Sequence, residues 1–169
     1  MVTGLFPDRN SAEAAYTAAE ARGYTADDMN LVMSDDTRKT HFTGTTAGKE
    51  TELGNKAAEG AGIGGAIGGT IGAIAAAVAA VGTSVALPGL GLVIAGPIAA
   101  AIAGAGAGAA GGGLIGALVG WNMSEERVKE YEEGMKNGGI LMGLRTKDDA
   151  DAQHLESAWK SNRGQHVYR

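Results

Sequence analysis

The feature that most constrains this chain is a stretch of 65 residues, Gly60–Ser124, that contains no aspartate, glutamate, lysine or arginine. All 33 charged side chains lie in the two flanks, residues 1–59 and 125–169. A helix or strand at a protein surface needs polar residues on its outer face, so this charge-free segment cannot form an ordinary surface. We therefore expect the flanks to fold as a head and the charge-free segment to have a separate role.

Composition narrows the functions open to the chain. Of its 169 residues 29 are glycine, more than twice the usual share of about 7%, and none is cysteine. The lack of cysteine excludes disulfides and thiolate metal sites. A net charge of −5 argues against nucleic acid as a partner, because nucleic acid needs a basic surface. Met1–Asp8 has no basic or long apolar run, so we expect no secretory signal and a cytoplasmic location.

The N-terminal flank predicts a strand, a helix and a second strand. Val2–Phe6 and Met29–Met33 are short runs of residues that favour strands. Between them, Ser11–Arg22 has alanines at helical spacing, and Asn10 or Ser11 is the expected N-cap. Residues 34–56 are rich in threonine, glycine, aspartate and lysine, and are expected to be a linker.

The C-terminal flank predicts two helices that alternate with two strands. Ser124 is the expected N-cap of a helix that ends at Asn137, and Ile140–Leu144 is the next strand. Asp148–Asp149 opens a last helix, and Gln165–Tyr168 is the terminal strand. Together the flanks predict an α+β fold in which residues 1–56 and 121–169 form one discontinuous head, a small ferredoxin-like αβ sandwich.

Both flanks resemble a known family. Val2–Asp8 (Val-Thr-Gly-Leu-Phe-Pro-Asp), followed by the alanine-rich helix and Gly23-Tyr24, is similar to bacterial general stress proteins of the heat-induced (YflT-type) class. Tyr131–Gly134 with Gly138–Met142 is similar to the C-terminal half of these proteins. In that family a glycine-rich apolar segment also interrupts the small domain. The resemblance implies stress-linked expression and no established catalytic residues.

Residues 57–120 predict a glycine-zipper hairpin of two antiparallel helices. Thr83–Gly91 contains a proline-glycine turn signal, which separates a helix at Ala57–Gly82 from one at Leu92–Gly120. Pro97 is an alternative start for the second helix. Small residues recur every four positions, so each helix carries a groove along one face where another backbone can pack closely. The glycines expected in these packing rows are Gly60, Gly64, Gly68 and Gly72 in the first helix and Gly96, Gly104, Gly108, Gly112, Gly116 and Gly120 in the second.

The length of the hairpin requires an external partner. A helix of 26 residues is about 39 Å long, whereas a head of about 100 residues has a radius of gyration of only about 13 Å. The head cannot cover such a hairpin, so copies of the same chain or a lipid bilayer must do so.

The sequence is compatible with both a lipid bilayer and copies of the same chain as this partner. Each helix has the length of about 20 residues that a bilayer span needs, and basic residues flank the hairpin on both sides. This pattern favours the inner membrane with both termini in the cytoplasm. However, only 6 of the 23 residues in 60–82 are isoleucine or valine, which favours close packing in a homo-oligomer.

No set of residues in the sequence predicts a catalytic, cofactor or metal site. Dinucleotide-type glycine patterns begin at Gly60 and Gly106, but neither follows a predicted strand. His41, His154 and His166 are scattered without metal-ligand spacing. We therefore expect a non-enzymatic stress-associated protein whose hairpin drives homo-oligomeric assembly, membrane insertion or both. The alternative is a small-ligand or regulatory binding module in which the head binds and the hairpin only tethers it.

Overall fold

The computed structural model describes residues 1–42, 85–87, 91–97, 99 and 123–169. This part of the chain is α+β, with one six-stranded antiparallel sheet and four helices described over their whole length. The strands are β1 Val2–Phe6, β2 Met29–Ser34, β3 Val85–Leu87, β4 Leu92–Ala95, β5 Ile140–Leu144 and β6 Gln165–Tyr168. The helices are α1 Arg9–Glu20, α2 Asp35–Phe42, α3 Glu125–Lys136 and α4 Asp149–Ser161, and a short 3₁₀ turn, Ala26–Asp28, precedes β2.

The sheet interleaves the two flanks. Its strand order is β3-β4-β2-β5-β1-β6. Strand β5 lies between β1 and β2 and is antiparallel to both, while β1 lies between β5 and β6. The units β1-α1-β2 and β5-α4-β6 are therefore each split by a strand from the other. Because β1 and β5 each pair with both neighbours, neither flank can form the centre of this sheet alone.

Both faces of the sheet are covered by helices. Helices α1 and α4 pack on one face, where Trp159 is fully buried and meets Phe6 edge-to-face at 5.6 Å between ring centroids. Helix α3 packs on the other face through Val128, Tyr131 and Met135. Since successive side chains of a strand point to opposite faces, every residue of β1 and β5 is buried.

Side-chain caps fix the starts of the helices. Ser124 accepts a hydrogen bond from the Arg127 amide at 3.4 Å, which confirms it as the N-cap of α3. The Asp148 side chain accepts from the Asp151 amide at 2.7 Å and caps α4. The expected cap of α1 was wrong: Asp8, not Asn10 or Ser11, accepts from the Ser11 amide at 2.8 Å. Asp8 has the extended conformation that an N-cap needs, with φ −149° and ψ 166°.

The expected linker begins with a helix instead. Helix α2 occupies Asp35–Phe42, while residues 43–56 lie outside the described residues. The Ser34 hydroxyl accepts from the Thr37 amide at 3.0 Å. The Asp35 carboxylate forms salt bridges with Arg38 at 3.0 Å and with Lys39 at 2.6 Å, both one helical turn further along α2. These local pairs stabilise a helix that has almost no apolar periodicity.

The charge-free segment contributes two strands to the sheet. Leu92–Ala95 pairs with β2, with Val32 opposite Ile94, and Val85–Leu87 pairs with β4. A helix that begins at Leu92 was therefore a wrong prediction. The expected hairpin bounds, residues 57 and 120, lie outside the described residues. Pro97 and Ala99 are helical, as the alternative start requires. The rest of the expected hairpin lies outside the described residues.

Candidate functional site

Of the ten glycines expected in the packing rows, the structure describes Gly96. Its φ of +107° places it in a bend after β4, and a Cβ there would overlap the carbonyl oxygen of Met29. Gly96 thus lets the chain pass close to β2, and its assignment to a helix face was wrong. The remaining nine, which lie outside the described residues, are Gly60, Gly64, Gly68, Gly72, Gly104, Gly108, Gly112, Gly116 and Gly120.

Helix α2 ends at Phe42, the last described residue before the charge-free segment. Arg9 of α1 donates a hydrogen bond to the carbonyl oxygen of His41, and its guanidinium lies 5.0 Å from the centroid of the Phe42 ring. Arg9 also pairs with the buried Glu13 at 3.5 Å. Because the last carbonyls of a helix have no partner within the helix, Arg9 stabilises the end of α2 against α1.

The charge-free segment contacts the head at β4 and the residues after it. The Ala99 amide donates to the Gly96 carbonyl at 2.9 Å, which begins a helical turn directly after the bend. Ala99 is fully buried in the same cluster as Ile94 and Val128 of α3. The charge-free segment is therefore packed on the head at Leu92–Ala95 and Ala99, and again at Met123 near its C-terminal end.

Helix α3, which follows the charge-free segment, is fastened to the sheet by Tyr131. Its hydroxyl donates to the His166 carbonyl at 2.7 Å and lies 2.9 Å from the Thr3 hydroxyl. Burial raises the pKa of Tyr131 to about 12, so the phenol stays protonated at neutral pH. A Cβ on Gly134 would overlap the Leu5 side chain, so glycine there lets α3 lie close to β1. Both residues belong to the motif that resembles the stress-protein family.

A polar network joins the end of α1 to the start of α4. The Asp151 carboxylate accepts from Arg22 Nε at 3.0 Å and from the Tyr24 hydroxyl at 2.8 Å. Hydrogen bonds from Arg22 and then from Tyr24 hold the pKa of Asp151 below its usual value. The Tyr24 hydroxyl in turn accepts from the Lys147 amide at 2.9 Å. Sequence spacing could not reveal this network, because its partners lie in opposite flanks.

An open polar cleft of about 450 Å³ lies between α2, the turn before β4 and the end of α3. The Ser34 and Thr37 hydroxyls hydrogen-bond to each other at 2.7 Å on its wall. It combines hydroxyl groups with one carboxylate and one ammonium group, which suits a small polar ligand. The residues that line it are Ser34, Asp36, Thr37, Thr40, His41, Gly91, Lys136 and Gly138.

Metal sites and membrane-spanning helices can be looked for only in the described residues. There, no three histidine, aspartate or glutamate side chains come together as ligands for a metal ion. None of the helices in the same ranges is long and apolar enough to cross a bilayer. The two helices that were expected to interact with lipid lie almost entirely outside these ranges.

Comparisons with protein-family models, with curated proteins and with solved structures found no match for this chain. The resemblance to heat-induced stress proteins therefore remains a prediction from the sequence motifs.

Proposed function

We propose that this chain is a non-enzymatic, stress-associated protein whose charge-free segment drives homo-oligomeric assembly, membrane insertion or both. The observation that carries the proposal is how completely the head hides its own apolar side chains. Within residues 1–42 and 123–169, Met1 is the one large apolar side chain that is exposed, at 36%. An apolar association surface on this chain therefore belongs to the charge-free segment.

The spacing of small residues supports a helical mode of association. Four-residue repeats such as Gly64-Gly68-Gly72 place small side chains on one helix face, where a second backbone packs closely. The acidic flanks favour a soluble outer layer around such a contact, since a net charge of −5 per chain opposes further aggregation.

The proposal extends to the fold of the head. The strand order β2-β5-β1-β6, with α1 and α4 on one face, is the order expected of a ferredoxin-like sandwich built from two split βαβ units. Strands β3 and β4 then extend this sheet on the β2 side, and α3 covers the face that α1 and α4 leave open.

Fractionation of the full chain without detergent tests the proposed function. Size-exclusion chromatography with light scattering gives the mass of the soluble fraction, and flotation with liposomes reports lipid binding. We expect either a particle of several 16.9 kDa chains or recovery with the lipid. A soluble species of one chain that ignores liposomes would contradict both forms of the proposal.

The polar cleft supports the alternative, a head that binds a small polar ligand. Its hydroxyl, carboxylate and ammonium groups lie on three different elements, as ligand sites often do. Amide chemical shifts of Thr37 and Thr40 during titration with inorganic phosphate or an amino acid test this alternative. Shifts that saturate and that Thr37→Val abolishes would favour a binding module.

A further inference from the structure

The turn between α3 and β5 contains the one asparagine-glycine pair of the sequence, Asn137-Gly138. Asparagine is a thermolabile residue, because its side-chain amide can be lost as ammonia. That loss requires the backbone nitrogen of the next residue to reach the carbonyl carbon of the asparagine side chain. Glycine at the next position has no Cβ to obstruct this approach. Asn137 is exposed, so water reaches the reacting groups.

Helix α4 ends in the same way but without a glycine. Asn162 has φ −91° and ψ 31°, close to the φ −85° and ψ 13° of Asn137, and each precedes a residue with a positive φ. The residue after Asn162 is Arg163, whose side chain obstructs the approach of its own backbone nitrogen. The Asn162 side-chain amide also donates to the Ala158 carbonyl at 2.9 Å. The two helix ends therefore differ in reactivity although their backbones match.

We propose that Asn137 is a site of spontaneous deamidation in this chain. The Gly138 nitrogen forms a bond to Cγ of Asn137, and the bond from Cγ to Nδ2 breaks. The side-chain nitrogen leaves as ammonia and takes the proton that the Gly138 nitrogen gives up. Water then opens the cyclic imide at one of its two carbonyls, which gives aspartate or isoaspartate. The sequence of steps consumes water and releases ammonia, and no oxidant or cofactor takes part.

The folded turn slows this reaction. A ψ of 13° places the Gly138 nitrogen beside the backbone nitrogen of Asn137 and away from its Cβ, so the ring closes only after ψ has rotated. The Gly138 amide also donates to the Met135 carbonyl at 3.0 Å. Ring closure therefore requires a local opening of the turn that breaks this hydrogen bond.

Deamidation changes a part of the head that is tightly packed. Both products place a carboxylate at the C-terminal end of α3, where the helix dipole favours positive charge. Isoaspartate also adds a backbone carbon shortly before β5, the strand that lies between β1 and β2. A Cβ on Gly139 would lie 2.8 Å from the Gly134 carbonyl oxygen, so the turn has little room for a longer backbone. The modification therefore destabilises the head as the chain ages, whether or not the chain assembles.

Peptide mapping of the full chain by mass spectrometry tests the site and its restraint. One sample is kept folded in mildly alkaline buffer and another in urea at the same pH, each until an asparagine has been converted. We expect Asn137 to convert first in both. The folded sample should react at least about tenfold more slowly, which corresponds to an opening free energy of about 1.4 kcal/mol. Earlier conversion of Asn10 or Asn162 in the folded sample would overturn the site, and equal rates in buffer and urea would overturn the restraint.

The effect on the head is tested with Asn137→Gln, whose longer side chain does not form the same ring. After equal ageing, the thermal midpoint of wild type should fall, and Asn137→Gln should keep the midpoint that it had before ageing. The matched control is Asn162→Gln at the end of α4, which should age as wild type does. Equal losses in wild type and Asn137→Gln would overturn the inference. So would an unchanged midpoint in wild type whose peptide map shows Asn137 converted.

Discussion

The head and the charge-free segment contain similar apolar residues but arrange them differently. In the head, apolar strands are covered on both faces by helices that carry apolar side chains toward the sheet and polar ones toward solvent. In the charge-free segment, alanine, glycine, isoleucine and valine follow one another without a charged residue for 65 positions. Amphipathic helices allow the head to bury its own apolar side chains, and we propose that the uniformly apolar segment needs a partner to do so.

This comparison predicts a separation of effects. Substitutions in the head should change the free energy of unfolding and leave the assembly contact intact. Substitutions in the glycine rows should change the assembly and leave the folding of the head intact. Head substitutions therefore test the free energy of unfolding, and glycine-row substitutions test the assembly.

The largest effect on stability is expected from Trp159→Ala. Trp159 is fully buried, meets Phe6 edge-to-face and donates from its indole to the Ala15 carbonyl at 3.1 Å. Its removal should lower the free energy of unfolding by about 3–5 kcal/mol, as measured by chemical denaturation. The exposed Ser157→Ala on the same helix is the control and should change little. Equal effects of the two would contradict the packing described for α4.

A smaller effect is expected from Tyr131→Phe. This change removes one hydroxyl that serves both Thr3 and the His166 carbonyl, and should cost about 1–3 kcal/mol. Because this hydroxyl links α3 to β6, the backbone amides of β6 should exchange hydrogen faster in the variant than in wild type. Tyr168→Phe is the control, since its hydroxyl donates to the exposed Glu130 side chain at 3.1 Å. No change in β6 exchange would show that Tyr131 does not fasten this strand.

Asp151→Asn should give a pH-dependent effect. The pKa of Asp151 is lowered in the folded chain, so its charged form stabilises the fold above the unfolded-state pKa of about 3.9. This stabilisation is lost as the pH falls through the folded-state pKa. We therefore expect a lower thermal midpoint for Asp151→Asn than for wild type at pH 7 and a shrinking difference below about pH 4. Asp149→Asn is the exposed control; a pH-independent difference would argue against the Arg22–Asp151 pair.

Much of the head was predictable because its signals are local. Strands β1, β5 and β6 occupy their expected residues, and α3 and α4 begin at their expected caps. A cap such as Ser124 or Asp148 acts within one helical turn, so the sequence alone reveals it. The network around Asp151 was missed because its partners Arg22 and Tyr24 lie more than 120 residues away.

The errors fall where a distant partner decides the local structure. Leu92–Ala95 is a short apolar run, which periodicity cannot assign to a strand or a helix, and pairing with β2 makes it a strand. Asp35–Phe42 is too polar to predict as a helix, but Arg9 and the Phe42 contact hold it on the head. The glycine rows beyond Gly96 lie outside the described residues and stay predictions.

The most direct test of the central claim compares two pairs of leucine substitutions that place the new side chain on opposite faces of the expected helices. Gly68→Leu and Gly108→Leu fill the expected grooves, whereas Ala66→Leu and Ala110→Leu add the same side chain on the opposite face. Light scattering of the four full chains, in detergent if they need it, gives their assembly mass. We predict that the two glycine variants lose the wild-type mass and that the two alanine variants keep it, with the same head circular dichroism in all four. An unchanged mass in the glycine variants would contradict the account.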